Sequence, residues 1–194
     1  MDNTFSHDGG RHSPQGCSAG PIHVAELSDA SDLSSLAALT FPLACPPQLS
    51  KADMASFIEE NLTPSAFRRY LADPHNVVML ARDAAGDPLA YTLGIPGHGE
   101  DADAAALLAA ESPMYLSKVY AAPRAHGTGL STSLIDAHAA IARERGFDSL
   151  WLGTNVENGR ARRFYEKVGF ADRGRRTFIV GGQTCHDVVY ELHL

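Results

Sequence analysis

Two strand-like runs, MYLSKVYAA (114–122) and SLWLGTNV (149–156), flank a single helix-length segment. Within that segment Leu130, Leu134, His138, Ile141 and Ala142 recur at helical spacing. A strand, a crossover helix and a second strand leave the two strands parallel in one sheet, because parallel neighbours need a long crossover. Upstream, NVVMLARDAAGDPLAYTLGI carries two apolar runs around AAGDP and reads as an antiparallel hairpin. Downstream, RRTFIVGGQTCHDVVYEL reads as a second hairpin, turning at Gly181 and Gly182. A parallel pair between antiparallel hairpins predicts an α/β chain built on a mixed, twisted sheet with helices on both faces.

The remaining segments fit around that sheet. IHVAEL (22–27) alternates as a strand, and SDASDLSSLAALTF, SKADMASFIEENL and TPSAFRRYLADP read as helices. Ser50 and Thr63 are expected N-caps, with Pro64 at the first helical position. These three helices are expected to form a lid over one end of the sheet. Residues 96–112 read as a loop with a short Ala-rich helix, and GRARRFYEKVGF as a helix with Ala161, Phe164, Tyr165 and Val168 on one stripe. A chain of 194 residues suits one domain, expected over 21–194, behind a Gly-, Ser- and His-rich tail at 1–20.

Composition narrows the function. A net charge of −7 argues against non-specific nucleic-acid binding and is compatible with a cationic substrate. No run of 18 apolar residues and no basic-then-apolar leader is present, so neither a membrane span nor a signal peptide is expected. Cys17, Cys45 and Cys185 are odd in number and widely spaced, which argues against a disulfide framework or a zinc site and for the cytoplasm.

The turn that opens the crossover helix is HGTGLSTSLI, residues 126–135. Gly127 and Gly129 allow successive N–H groups to face one point, and the helix beginning near Leu130 aims its positive end there. This is an anion cradle, or else a tight turn capped by Ser131 or Thr132. A P-loop would need a lysine where Leu130 and Ser131 stand. A dinucleotide fingerprint would need a third small residue at Thr132, an early βαβ unit and an acid after the second strand.

VYAAPRAHGTGLSTSLIDAHAAIARERG resembles the acetyl-CoA-binding segment of the GNAT superfamily of N-acetyltransferases, whose loop reads Gln or Arg, two residues, Gly, one residue, Gly or Ala. His126 stands at the first position, Gly129 at the second and Ser131 at the last. A second register would use Arg124, Gly127 and Gly129; the first keeps Pro123 and the upstream strand in the family's spacing. WLGTNVENGRARRFYEKVGF resembles the family's next stretch, with Asn158, Ala161, Phe164, Tyr165, Gly169 and Phe170 in step. FIVGGQTCHDVVYEL and ENLTPSAFRRYLADP look similar to the diamine/spermidine acetyltransferase branch.

The resemblance implies that strands 115–121 and 149–156 splay apart around the cofactor arm. Backbone near Val119, Tyr120 and Ala121 would hold that arm. His126, Gly127, Thr128, Gly129, Leu130, Ser131 and Thr132 would hold the pyrophosphate, with Asn158 alongside. Tyr165 would protonate the leaving thiolate. The reaction implied is acetyl transfer from acetyl-CoA to a primary amine of a small molecule, without a metal. The alternatives are a protein or peptide acceptor, or a CoA-binding regulatory module without turnover. A homodimer is compatible with the sequence. Many family members carry a glutamate on the strand before the loop; here that strand offers Tyr115, Ser117 and Lys118. Glu100, Asp101, Glu111 or a water chain could substitute for it, and His98 and Glu100 read as solvated loop residues.

Overall fold

The computed structural model describes residues 19–45, 49–99, 101–180 and 183–194. Its elements are β1 (Ala19–Val24), α1 (Ala30–Ala44), α2 (Lys51–Asn61), α3 (Pro64–Ala72), β2 (Val77–Asp83), β3 (Pro88–Pro96), α4 (Ala102–Leu107), β4 (Pro113–Ala121), α5 (Leu130–Glu144), β5 (Ser149–Asn155), α6 (Gly159–Lys167), β6 (Ala171–Val180) and β7 (Gln183–His193). The strands lie in the order β1-β2-β3-β4-β5-β7-β6. β4 and β5 run parallel and the other neighbours antiparallel, which is the mixed sheet that the crossover demanded. β1 starts at Ala19, two residues inside the segment expected as a tail. The rest of that segment, and the expected turn at Gly181 and Gly182, lie outside the described residues. No helix among the described residues is long and apolar enough to cross a membrane.

Alternation along the strands sorts the core into two faces. Val77, Met79 and Ala81 of β2 meet α5, with Leu130, Leu134 and Ile135 as the helix's buried stripe. Val78 and Leu80 of the same strand meet α1 and α3 through Leu33, Leu36 and Phe67 on the opposite face. Over the C-terminal half, Trp151 and Val189 pack under α4, while Leu150, Val188 and Tyr190 turn to the α5 side. Ser50 and Thr63 cap α2 and α3, accepting from Asp53 N at 3.1 Å and Ala66 N at 3.2 Å. Arg82 ties the start of α1 to β2 through Asp29 (2.6 Å) and Asp32 (2.7 Å).

Ser117 is a β-bulge. Leu93 of β3 faces Lys118 while its neighbour Gly94 faces Leu116, so Ser117 is an extra residue in β4. One inserted residue reverses the alternation. Met114 and Leu116 point to the α5 side, and beyond the bulge that side is taken by Val119 and Ala121. Lys118, placed over the Tyr70 ring, and Tyr120 are thereby turned toward α1–α3.

Under α5 lies a fully buried histidine. His138 Nδ1 shares a 2.8 Å hydrogen bond with Thr92 Oγ1, and its Nε2 lies 3.4 Å from Met114 Sδ. Gly94 lies beneath it because a Cβ there would collide with the imidazole ring. Burial lowers His138 to about 4, so the folded protein keeps it neutral. An unfolded chain protonates it below its ordinary 6.5. The resulting stability is therefore complete above pH 6.5 and is lost as pH falls toward 4. Urea unfolding at pH 7 and pH 5 should show a loss of about 2 kcal/mol from this group. In His138→Gln that component should vanish, leaving a shallower pH dependence.

Candidate active site

β4 and β5 pair over three positions only, Pro113–Ser149, Met114–Leu150 and Tyr115–Trp151. The last pair is stacked, with ring centroids 4.2 Å apart, and Trp151 Nε1 donates to the Gly97 carbonyl at 2.9 Å. Beyond it the strands separate, and the free edge of β4 turns its unpaired backbone groups into the gap. A cleft of about 870 Å³ fills this fork. Its walls are Ser117–Ala121 of β4 and Gly153–Asn155 of β5, and α1 and α2 contribute the stacked rings of Phe41 and Phe57, 4.6 Å apart.

The 126–132 loop closes one end of the cleft. Gly127 and Gly129 hold φ of 77° and 85°, a left-handed conformation that favours glycine, and a Cβ on either would meet open space. Gly129 is the N-cap of α5 and has no side chain to cap it with, and neither Ser131 nor Thr132 takes the role a simple capped turn would give it. The N–H groups of Gly129, Ser131 and Thr132 stay available to a ligand. Thr128 shapes the turn by donating to the Ala125 carbonyl (2.8 Å) and accepting from Leu130 N (3.3 Å). Leu130 sends its side chain into the core. Gly127, Gly129, Ser131 and Thr132 line the cleft, whereas Thr128 and Leu130 support it from behind.

His126 bridges the loop to its surroundings. Its Nδ1 lies 3.2 Å from Arg160 Nη1, and a guanidinium can only donate, so Nδ1 accepts. The ring proton therefore sits on Nε2, which donates to the Ala121 carbonyl at 3.2 Å. Arg124 turns away to Asp83 (3.5 Å) and the Pro88 carbonyl (3.2 Å), which places His126 and not Arg124 at the loop.

The other residues singled out in the sequence also converge here. Val119, Tyr120 and Ala121 line the β4 wall. Asn158 caps α6, its Oδ1 accepting from Ala161 N at 3.0 Å, and also faces the cleft. Tyr165 lines the cleft while its ring packs against Phe164, Phe170 and Tyr190. Burial holds its hydroxyl above the usual phenol value of 10, so it stays protonated and able to donate.

Two features were not singled out, Arg160 and the pairing of Arg176 with Asp187. Arg160 lies in the first turn of α6, where the helix dipole disfavours a cation. Arg176 of β6 bonds Asp101 at 2.7 Å and Asp187 of β7 at 3.1 Å, and all three line the cleft. Desolvation raises the Asp187 carboxyl against the opposing pull of Arg176. Of the nearby carboxylates, Asp101 is thus engaged, Glu111 is exposed and does not line the cleft, and Glu100 lies outside the described residues. Lys118, buried on the bulge, also lines the cleft.

Residues 44–170 match the acetyltransferase (GNAT) family. Uncharacterized N-acetyltransferases of Mycobacterium tuberculosis and Mycobacterium bovis are each 39% identical over 163 residues, 84% of this chain and 96% of theirs. The fold is similar to that of the PaiA N-acetyltransferase of Thermoplasma acidophilum, solved in complex with coenzyme A. The TM-score is 0.70 at 15% identity, over 90% of this chain and 98% of that one. A GCN5-related N-acetyltransferase of Rhodopseudomonas palustris gives 0.66 at 17% identity, over 92% and 98%. This chain therefore belongs to the GNAT family of acetyltransferases.

Proposed function

We propose that the enzyme transfers the acetyl group of acetyl-CoA to a primary amine of a small molecule by direct attack. The observation that carries this reading is the fork itself, with a donor-rich loop at one end and an aromatic-walled chamber at the other. Its volume of about 870 Å³ is that of an ordinary small-molecule site. α1 and α2 wall the chamber through Phe41 and Phe57, which favours a compact acceptor over a protein or peptide chain. Asp101 and Asp187 are already engaged by Arg176, so carboxylates that could hold a polycation are spoken for, and a monoamine suits the chamber better than a polyamine.

Acetyl-CoA supplies an acetyl group activated as a thioester. The residues fit it: backbone N–H groups of Gly127, Gly129, Ser131 and Thr132 suit a pyrophosphate, and Arg160 adds a cation beside them. The free edge of β4 near Val119 and Ala121 can hydrogen-bond an extended arm and polarise a carbonyl. Ala121 has one carbonyl lone pair directed to His126, which leaves a second for a ligand. Tyr165 gives its proton to the departing sulfur. The chain's contribution is otherwise positional, holding amine and carbonyl within reach.

The direct test mixes the protein with acetyl-CoA and a panel of amines, amino acids and peptides and follows free-thiol release. Small primary amines should turn over; release with peptides alone would refute the small-molecule reading. Acetyl-CoA should also raise the melting temperature, since it binds the native state. Gly129→Glu places a side chain and an anion in the cradle and should abolish that shift; an unchanged affinity would remove the phosphate assignment.

Tyr165→Phe keeps the ring among Phe164, Phe170 and Tyr190 and deletes only the hydroxyl. General acids contribute about 10²–10⁴-fold, and a thiolate is a fairly good leaving group, so kcat should fall about 10²-fold with acetyl-CoA affinity unchanged. Wild-type kcat in this variant, with chemistry rate-limiting, would move the acid elsewhere.

A further inference from the structure

The proton that an acceptor ammonium must lose has no carboxylate waiting for it on β4. The Ser117 bulge brings a different group to that place. Lys118 is 7% exposed and lines the acceptor side of the cleft. Its Nζ lies 4.8 Å from the centroid of the Tyr70 ring of α3 and 3.5 Å from Ser117 Oγ, and among the described residues no carboxylate pairs with it. A buried ammonium without a counter-ion is costly, and shedding the proton removes the cost.

We propose that the neutral amine of Lys118, held on the β4 bulge at the acceptor side of the fork, is the base that takes the proton from the acceptor's ammonium. The assignment rests on the acetyl-transfer reading above. Neutral Lys118 accepts one proton, and the freed lone pair of the acceptor forms the new C–N bond. The C–S bond breaks, its electron pair leaves on sulfur, and Tyr165 protonates that sulfur. The second proton that the nitrogen sheds on becoming an amide balances the one Tyr165 gave. Each turnover thus leaves one proton on Lys118, which returns it to solvent.

The surroundings leave Lys118 free to work this way. Burial lowers it to about 8, near the pH at which a base is most useful. The titratable groups packed on its side are Tyr70 of α3, Tyr91 of β3 and Tyr120 of β4, phenols that burial holds above their ordinary 10 and therefore neutral. Arg69 of α3 acts on Tyr70. Across the cleft, Asp101, Arg176 and Asp187 satisfy one another. Activity should accordingly be low where Lys118 is charged and rise as pH passes through about 8.

The chain has three lysines, Lys51, Lys118 and Lys167, so ¹³Cε-labelled lysine gives three signals, with Lys118 assigned by its loss in Lys118→Arg. In the full chain without acetyl-CoA, Lys118 should titrate near 8. With the best amine from the thiol-release panel, kcat/KM should rise about tenfold per pH unit to a break at the same value. Lys118→Met and Lys118→Arg should lose the break and about 10²-fold or more of kcat/KM, and both should keep the acetyl-CoA melting shift. A Lys118 midpoint at 10 or above overturns the proposal even if a variant fails to fold. So does wild-type activity in Lys118→Arg, which restores a charge but cannot act as a base. Wild-type protein that binds no acetyl-CoA overturns the transfer reading and the base with it. Turnover with the break retained in Lys118→Met overturns the base alone.

Discussion

Three residue pairs hold β4 against β5, and the site depends on there being no more. A parallel ladder continued to the ends of both strands would satisfy the backbone of β4 and leave no edge for a ligand. Separation exposes that edge, and β7, pairing with β5 along its whole length from Ser149 to Asn155, keeps the other arm of the fork rigid. On the opposite arm β3 does the same for β4. Each arm is thus half of a well-bonded sheet, and the gap between them is held open by the packing behind it. The helix that connects the arms starts at the gap, so the donor-rich end of α5 is delivered there by chain connectivity alone.

The bulge at Ser117 adds what the fork lacks. A regular strand would put Lys118 on the face of Leu116, under α5, where His138 and Met114 fill the space. The extra residue turns it to the face of Tyr91 and Tyr120, which is also the face of the acceptor chamber. One inserted residue therefore decides whether a lysine is an uncompensated charge in the core or a functional group in a cleft.

Most of the architecture was legible because it rests on local rules. The crossover between MYLSKVYAA and SLWLGTNV fixed the parallel pair, and Ser50, Thr63 and Pro64 marked helix starts where α2 and α3 begin. The cradle was legible from its glycines, and Tyr165 and Asn158 from their place in a family motif. Arg176 and Asp187 were not, because their partner Asp101 is 75 residues from Arg176 in the chain and no periodicity links a hairpin to a loop so distant. Lys118 was named only as the residue standing where a carboxylate was missing. Alternation assigns a face only while the register is unbroken, and the bulge is invisible in the letters SKVY.

The stacked pair at the base of the fork has an optical consequence. Trp151 is the sole tryptophan of the chain, fully buried, with Tyr115 on one side and the Arg176 guanidinium 5.7 Å from its ring. Its emission comes from the one point at which the two arms part, with no second indole to dilute it. The arms cannot move relative to each other without changing the polarity or the quenching around that ring. The chain carries its own fluorescent gauge of the fork, placed at the hinge and needing no added label.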